Sequence, residues 1–447
     1  MAGLVQFFVY VVSHLYAKAG LWNASLIHSF ALSPVLSLFT NSSMNRRDFL
    51  LQSALTTAGG LLIPNFLKAY ELSAMGQPVA PSGKILVIVQ LSGGNDGLNT
   101  VVPYRNDIYY RERPTIAIRP DKVLPLNDEI GLNPAMGALR SLYDDGLMTV
   151  INNVGYPNPD RSHFRSMDIW QTASDSGQYL SNGWVGRYLD AACAGKAQQP
   201  YKTIEVDDTL SLAMKGKTLN GMALLDPKKL YNQTRGPLVT GLSHEPAHDD
   251  HESVAYLSKT LAETVSSADY VFEKAKARST TSPAVAYPDH ELGNRLKTVS
   301  QLIQSGIDTS VYYVSISGFD THINQPGQQD RLLGQYADAV GAFMTDLKAA
   351  GRQNDVLLMT FSEFGRRVKQ NASNGTDHGT ASNVFLIGGG LPGRRVLNEA
   401  PNLSNLTEGD LAYTVDFRQI YATLLRDYLG ADDVAILGRP FEPLRLV

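Results

Sequence analysis

The stretch Lys84–Asn99, KILVIVQLSGGNDGLN, is the part of this sequence that best indicates its fold. Its first half, Ile85–Val89, is an uninterrupted aliphatic run, which is typical of a strand buried on both faces in a parallel α/β sheet. The glycines that follow allow a tight turn at the end of the strand. Because ligands of open α/β sheets bind at the carboxyl ends of strands, Asp96 lies where a functional site is expected.

Strand-like and helix-like segments alternate along the rest of the chain. We predict strands over Ile85–Leu91, Met148–Asn152, Val311–Ser317, Val356–Phe361 and Asn383–Ile387. We predict helices over Pro134–Tyr143, Ser162–Thr172, Val185–Ala194, Val254–Lys276, Leu292–Ser305, Arg331–Ala350 and Asp416–Leu429. This order predicts an α/β fold with helices on both faces of a mostly parallel sheet. Residues 201–288 are more irregular and are predicted to form an insertion or cap over the carboxyl edge of the sheet.

The amino-terminal region predicts an export signal. Arg46 and Arg47 are followed by Phe49-Leu50 and then by an uncharged, moderately apolar stretch over residues 51–67, a pattern that looks like a twin-arginine signal. The alternative for this segment is an amphipathic first helix. We therefore expect the Tat translocase as a partner during export and a periplasmic or extracellular location, without membrane association after signal cleavage.

The boundaries of this region follow from where the signal pattern begins. We interpret residues 1–43 as an upstream extension from a start placed too early, with Met44 as the true start. A membrane anchor at Leu4–Val12 is the alternative, but this run is too short to span a bilayer. The signal region is then 44–80, and one globular domain follows over 81–447.

Composition argues against nucleic-acid binding and against an intramolecular disulfide. The formal net charge of −4 gives no basic footprint for nucleic acid. The single cysteine, Cys193, excludes an intramolecular disulfide. Its helical setting in WVGRYLDAAC indicates a buried small apolar residue.

Ligand-type side chains recur where segments of the predicted sheet end. Asp96 follows the first strand, Asp320 and His322 follow the strand VYYVSIS, and Glu363 follows the strand VLLMTFS. Two further segments carry Asp160-Arg161-Ser162-His163, at a predicted helix start, and Asp377-His378. Parallel strands bring their carboxyl ends to one edge, so we expect these side chains to lie together.

This set of residues suits metal-assisted chemistry on an anionic substrate. Carboxylates and imidazoles bind Zn²⁺, Mn²⁺ or Fe²⁺, and two ions about 4 Å apart can assist phosphoryl-type transfer. A serine at a helix start, such as Ser162, has its oxygen in a positive field. Backbone N–H groups there, with Arg161 and Arg165, would receive an anion.

The chain also resembles a known family. SGGNDGLNTVVPY, RSHF, GFDTH, EFGR and DHG, in this order after the twin-arginine start, look like the DUF1501 family of exported bacterial proteins of unknown function. That family is related to the alkaline phosphatase/sulfatase superfamily, so the resemblance implies an alkaline-phosphatase-like α/β/α sandwich and a two-metal hydrolase. There are two departures, since Ser362-Glu363 replaces an Asp-His and one residue rather than three separates Asp320 from His322.

Carried over by position, the resemblance assigns a role to each residue. The implied nucleophile is Ser162. The implied ligands of one or two divalent ions (Zn, Mn, Fe or Ca) are Asp96, Asp320, His322, Glu363 and His378. The substrate-binding residues are Asn95, Arg161, His163 and Arg366, and Asp377 orients a histidine ligand.

Several of these residues keep an alternative interpretation. Asp96 could bond its own backbone in an Asx-turn. Ser162 is also an ordinary helix N-cap, and His163 could be a ligand in its place. Arg366 could be a solvated surface charge.

Three other sequence patterns suggest functions that their surrounding residues do not support. His244-Glu245-Pro246-Ala247-His248 resembles a zinc-protease helix, but Pro246 disfavours the helix that this motif requires. GGNDG lacks the glycine spacing of a dinucleotide-binding loop, and no nucleophile-elbow pentapeptide supports a Ser-His-Asp esterase. The family resemblance implies an exported metal-dependent hydrolase of phosphate or sulfate esters, a small anionic ester being the substrate. The alternative is a non-catalytic exported binding or assembly protein with a degenerate metal site.

Overall fold

The computed structural model describes residues 83–236, 239, 252–278 and 283–445. Its strands are β1 Ile85–Ser92, β2 Val101–Val102, β3 Leu124–Pro125, β4 Gly131–Leu132, β5 Met148–Gly155, β6 Thr203–Glu205, β7 Met222–Ala223, β8 Val311–Ser317, β9 Val356–Phe361, β10 Ser382–Gly388, β11 Arg395–Val396, β12 Leu406–Thr407, β13 Asp410–Leu411 and β14 Val415–Asp416. The twin-arginine segment and His244–His248 lie outside the described residues, so the interpretations placed on them remain predictions.

Helices connect these strands. They are α1 Gly97–Thr100, α2 Asp107–Glu112, α3 Gly137–Asp144, α4 His163–Thr172, α5 Trp184–Cys193, α6 Pro227–Thr234, α7 Glu252–Arg278, α8 Glu291–Gln304, α9 Gln325–Ala349, α10 Phe417–Thr423 and α11 Asp433–Leu437. A π-helical turn, Leu424–Tyr428, continues α10. Within the described residues, no helix combines the length and apolar character needed to cross a bilayer.

The main sheet has nine strands and is mostly parallel. Its order is β11-β5-β10-β9-β1-β8-β6-β7, with β14 also paired to β5. Strand β10 runs antiparallel to both of its neighbours, whereas the other pairs are parallel. The carboxyl ends of β9, β1 and β8 therefore meet at one edge, as the sequence predicts.

Both faces of the sheet are covered by helices. Along β1, Val87 and Val89 belong to one core with α3, α7, α8 and α9. Leu86 and Ile88 belong to a second core with α4, α5, α10 and the π-helical turn. The unbroken aliphatic run of β1 is the direct consequence, because alternate side chains enter different cores. The predicted α/β class, with a mostly parallel sheet between two helical layers, is confirmed.

The described part of residues 201–288 includes two strands of the main sheet, which the expected cap over the carboxyl edge did not include. β6 pairs with β8 and β7 pairs with β6, so two strands from this segment extend the main sheet at its side. Ala268 and Val271 of α7 lie in the first core. The described part of the segment thus adds to the sheet and to one helical layer, because its apolar side chains are buried there.

Candidate metal centre

The candidate centre lies at the carboxyl edge of the sheet, where β1, β8 and β9 end. Asp320 and His322 follow β8, Glu363 and Arg366 follow β9, and His163 opens α4. Gly93 allows these ends to come close, since a Cβ built on it would lie 2.5 Å from the Asp320 backbone nitrogen. Its φ of 119° is also one that glycine adopts readily.

Three imidazoles surround one carboxylate oxygen. The Oδ1 atom of Asp320 lies 3.0 Å from His322 Nε2, 3.2 Å from His378 Nε2 and 3.4 Å from His163 Nε2. The Nε2 atoms of His322 and His378 are themselves only 2.9 Å apart. One ligand atom from each of His163, Asp320 and His378 lies within 4.8 Å of the others. A single ion could therefore reach this set of donors.

The opposite nitrogen of each ring faces an atom that only accepts hydrogen bonds. His163 Nδ1 lies 2.9 Å from Glu363 Oε1, His378 Nδ1 lies 2.8 Å from the Arg161 carbonyl oxygen, and His322 Nδ1 lies 3.2 Å from Asp377 Oδ1. In the tautomer that carries the proton on Nδ1, each ring donates to that acceptor and its Nε2 presents a lone pair towards Asp320. These partners fix the tautomer that a metal-binding histidine requires.

Glu363 is the most enclosed of these partners. Its side chain is fully buried and accepts hydrogen bonds from the Gly93 backbone N–H at 2.8 Å and from His163. The hydrogen bond to Glu363 raises the pKa of His163, although burial opposes this effect. Glu363 was predicted as a metal ligand. The structure instead places it behind His163, on the side of the ring away from Asp320.

Arg366 controls the charge of Asp320. Burial alone would raise the pKa of Asp320, but hydrogen bonds from Arg366 and His378, with the charges of Arg366 and His322, lower it to about 2. The Arg366 guanidinium lies 2.7 Å from Asp320 Oδ1 and also donates to the Gly94 and Thr376 carbonyl oxygens. Arg366 is buried, so neither the predicted substrate contact nor a solvated surface charge describes its position.

The donor set fits a divalent ion. Nitrogen and oxygen ligands at 2.0–2.1 Å from a tetrahedral ion are about 3.3 Å apart, and octahedral neighbours about 2.9 Å apart. The separations of 2.9 to 3.4 Å between the Nε2 and Oδ1 atoms lie in this range. His163 Nε2 is buried without a hydrogen-bond partner, which costs free energy unless a cation takes its lone pair.

Asp96 does not join this cluster. Its carboxylate is fully buried, with Oδ2 2.5 Å from Arg113 Nη1, and it also accepts from Gln325 Nε2. Its Oδ1 accepts from the Leu98 backbone N–H and caps α1. Both oxygens are thus occupied within the protein, and the Asx-type alternative describes them better than the predicted metal ligation.

Two of the predicted substrate-binding side chains also point elsewhere. The Asn95 amide is buried against Thr100 and Gln329. The Arg161 guanidinium pairs with Asp410 at 2.5 Å, and only its backbone carbonyl contacts the cluster, through His378.

Ser162 is exposed at the N-cap position of α4, and its side chain makes no capping hydrogen bond. The structure shows no contact between its hydroxyl and the histidines. Asp377, predicted to orient His378, contacts His322 instead, and a hydrogen bond from Asn371 lowers its pKa.

Comparison with known proteins identifies the family. The family model described as "Protein of unknown function (DUF1501)" matches residues 128–442, more than half of the chain. The chain belongs to the DUF1501 family. Among curated proteins, nothing matches this DUF1501 chain.

Solved structures with a similar chain trace include three named proteins. The C-terminal periplasmic domain of EcEptC from Escherichia coli has 12% identity and a TM-score of 0.35, covering 81% of this chain and 90% of that one. An alkaline phosphatase superfamily protein from Vibrio parahaemolyticus has 11% identity and a TM-score of 0.38, covering 89% and 78%. The PsFucS1 sulfatase from Pseudoalteromonas sp. has 12% identity and a TM-score of 0.33, covering 81% and 70%. Because every TM-score lies below 0.5, we draw no functional conclusion from them.

Some residues of this DUF1501 site carry no usable sequence signal. Arg113, the partner of Asp96, lies in no motif. Phe364 lies within EFGR, but the motif does not indicate that its ring packs 4.8 Å from those of both His163 and His378. His163 does carry a signal, because histidine is a ligand type and this one stands beside Ser162 at a predicted helix start, where it could be a ligand.

Proposed function

We propose that this protein is an exported metal-dependent hydrolase of phosphate or sulfate esters. One observation carries the proposal, namely the convergence of three Nε2 atoms on Asp320 Oδ1 while each Nδ1 faces an acceptor. With the proton on Nδ1 in both rings, the Nε2 lone pairs of His322 and His378 face one another at 2.9 Å and repel. A divalent ion relieves that conflict.

We infer one ion per chain. His163, Asp320 and His378 would hold it, with His322 beside them. The two acids that could have held a second ion already have partners within the protein, since Asp96 pairs with Arg113 and Glu363 accepts from Gly93 N–H and contacts His163.

The chemistry follows from the position of these side chains. A divalent ion held there supplies Lewis-acid polarisation of an ester oxygen. Glu363 fixes the ring of His163, and Arg366 keeps Asp320 ionised near neutral pH. The N-terminus of α4 presents backbone N–H groups and a positive partial charge to an anionic ester. Ser162, next to His163 and exposed, supplies the nucleophilic hydroxyl in this proposal.

One observation favours the alternative of a non-catalytic binding or assembly protein. Arg113 and Arg366 are protein cations beside acids of this edge, so a metal could hold the loops together without reacting.

Location is part of the proposal as well. Export through the Tat translocase would place the protein in the periplasm or outside the cell.

The test combines metal content with turnover. Exported protein is loaded with Zn²⁺, Mn²⁺ or Fe²⁺ and given a panel of phosphate monoesters, phosphate diesters and sulfate esters. We expect metal-dependent turnover that His163→Ala abolishes together with metal, and that Ser162→Ala abolishes while metal remains. Ser404→Ala, a change at another exposed serine, is the control. Protein with full metal that cleaves no ester would favour the binding alternative.

A further inference from the structure

Two exposed apolar side chains adjoin histidines of the centre in sequence, and a third lies on the loop after α4. Among the described residues, Phe164, Tyr179 and Ile323 are the most exposed large hydrophobic side chains, at 86%, 77% and 64%. The three others that are exposed, Leu225, Tyr413 and Val434, reach only 39% to 44%. Single exposed apolar residues are common on protein surfaces, so the informative feature is their shared location.

Two of the three are bonded directly to histidines of the centre. Phe164 follows His163 and Ile323 follows His322. The described chain has no cis peptide bonds, so each pair of α-carbons is about 3.8 Å apart. The rings of His163 and His322 each lie within 4.7 Å of the His378 ring, measured between centroids. The two apolar residues therefore flank the same small cluster.

The third side chain is held in place by a buried arginine. Arg165, two residues after His163, donates hydrogen bonds to the carbonyl oxygens of Asp175, Ser176 and Gln178. Its guanidinium lies 4.0 Å from the centroid of the Tyr179 ring, a distance at which the cation and the ring attract one another. Tyr179, on the loop after α4, is thereby held against the side chain of a residue in the first turn of α4.

We propose that Phe164, Tyr179 and Ile323 bind the apolar part of an amphiphilic substrate, which carries its anionic ester group to the metal centre. This inference rests on the proposed function. The substrate class is then an alkyl or aryl ester of phosphate or sulfate, rather than a small polar ester. Burial of the apolar group removes the three side chains from water, while the anionic head lies between the histidines and the start of α4.

A binding experiment tests this contact without requiring turnover. Zinc-loaded protein is titrated by calorimetry with methyl-, butyl- and octylphosphonate, all below the micelle concentration. These compounds contain a C–P bond and no ester. Each methylene buried on binding contributes about fourfold to affinity. We expect octylphosphonate to bind at least about tenfold more tightly than butylphosphonate, equivalent to burying about two methylenes.

The variants assign the preference to the three side chains. In Phe164→Ala/Tyr179→Ala/Ile323→Ala, the ratio of butyl to octyl dissociation constants should fall towards one. Leu225→Ala/Val434→Ala, which changes exposed apolar residues on other elements, should keep it. Equal binding of the two chain lengths by the parent, retention of the ratio in the triple variant, or no binding of any phosphonate would overturn the inference.

Turnover is measured separately, on octyl phosphate and octyl sulfate. Chain-length-dependent phosphonate binding without hydrolysis of any ester would refute the proposed hydrolase and leave the apolar contact supported. Hydrolysis of esters without chain-length dependence would refute the apolar contact alone.

Discussion

Replacing Glu363 should weaken metal binding even though Glu363 is not placed as a ligand. Its Oε1 atom accepts from Gly93 N–H at 2.8 Å and from His163 Nδ1 at 2.9 Å, in a fully buried position. Glu363→Gln keeps the shape and an acceptor oxygen but removes the charge, which roughly halves the strength of such hydrogen bonds. Glu363→Ala removes the acceptor as well.

Loss of such a partner typically lowers metal affinity 10–100-fold, or about 1.4–2.7 kcal/mol. We place Glu363→Gln near the lower value and Glu363→Ala near the upper one. The pH matters, because the hydrogen bond to Glu363 raises the pKa of His163. In the parent, protons compete with metal up to a higher pH, so the loss in the variants should be larger at pH 8.5 than at pH 6.5.

The assay is a zinc titration against a chromophoric chelator at both pH values. Glu205→Gln is the matched control, since Glu205 is also a buried carboxyl of the main sheet but accepts from the Ser211 backbone N–H. Its zinc affinity should equal that of the parent. Zinc affinity of Glu363→Ala within twofold of the parent at pH 8.5 would refute the orienting role of Glu363.

Three further predictions concern stability and export. Asp96→Ala should lower the free energy of unfolding of the metal-free protein by about 3–5 kcal/mol, because it leaves Arg113 buried and unpaired. Urea denaturation measures this loss. The variant should still bind one zinc ion per chain. Burial raises the pKa of Glu205 to about 7, so the native state binds more protons than the unfolded state and stability falls as pH rises from about 4.5 to 7. Glu205→Gln should therefore be more stable than the parent by about 3 kcal/mol at pH 8 and nearly equal to it at pH 4.5. Urea denaturation midpoints of the parent and the variant at both pH values test this, and an equal difference between the two proteins at pH 8 and pH 4.5 would contradict it. Arg46→Lys/Arg47→Lys should remain in the cytoplasm on cell fractionation, whereas an undiminished periplasmic yield would contradict the twin-arginine interpretation.

The sequence predicts the centre of the fold well because the central strands are buried on both faces. β8 and β9 begin and end where the aliphatic runs Val311–Ser317 and Val356–Phe361 predict. β6 and β7, with three and two residues, are too short to show any period. Their place in the sheet depends on the pairing of β6 with β8 and of β7 with β6, which no sequence pattern shows. The sequence therefore predicts a cap for residues 201–288 instead of strands.

The residues of the candidate site also differ in how far the sequence can place them. Asp320 and His322 follow β8, and His378 lies in the loop between β9 and β10, which begins at the same edge of the sheet. They come together through this topology, which a sequence can indicate. The role of Asp96 depends on Arg113, which lies 17 residues away in sequence and in no recognisable motif. The choice between Ser162 and His163 depends on which of two adjacent side chains faces the cluster, and only tertiary packing decides that.

The most direct test of the metal centre is the metal content of the purified, exported protein after loading with zinc and removal of unbound ions. Mass spectrometry with an inductively coupled plasma source should find one ion per chain in the parent. Asp320→Ala should bring the content close to zero, and Asp121→Ala, a change at an exposed surface acid, should leave it at one. No stoichiometric metal in the parent, or full metal in Asp320→Ala, would contradict the account.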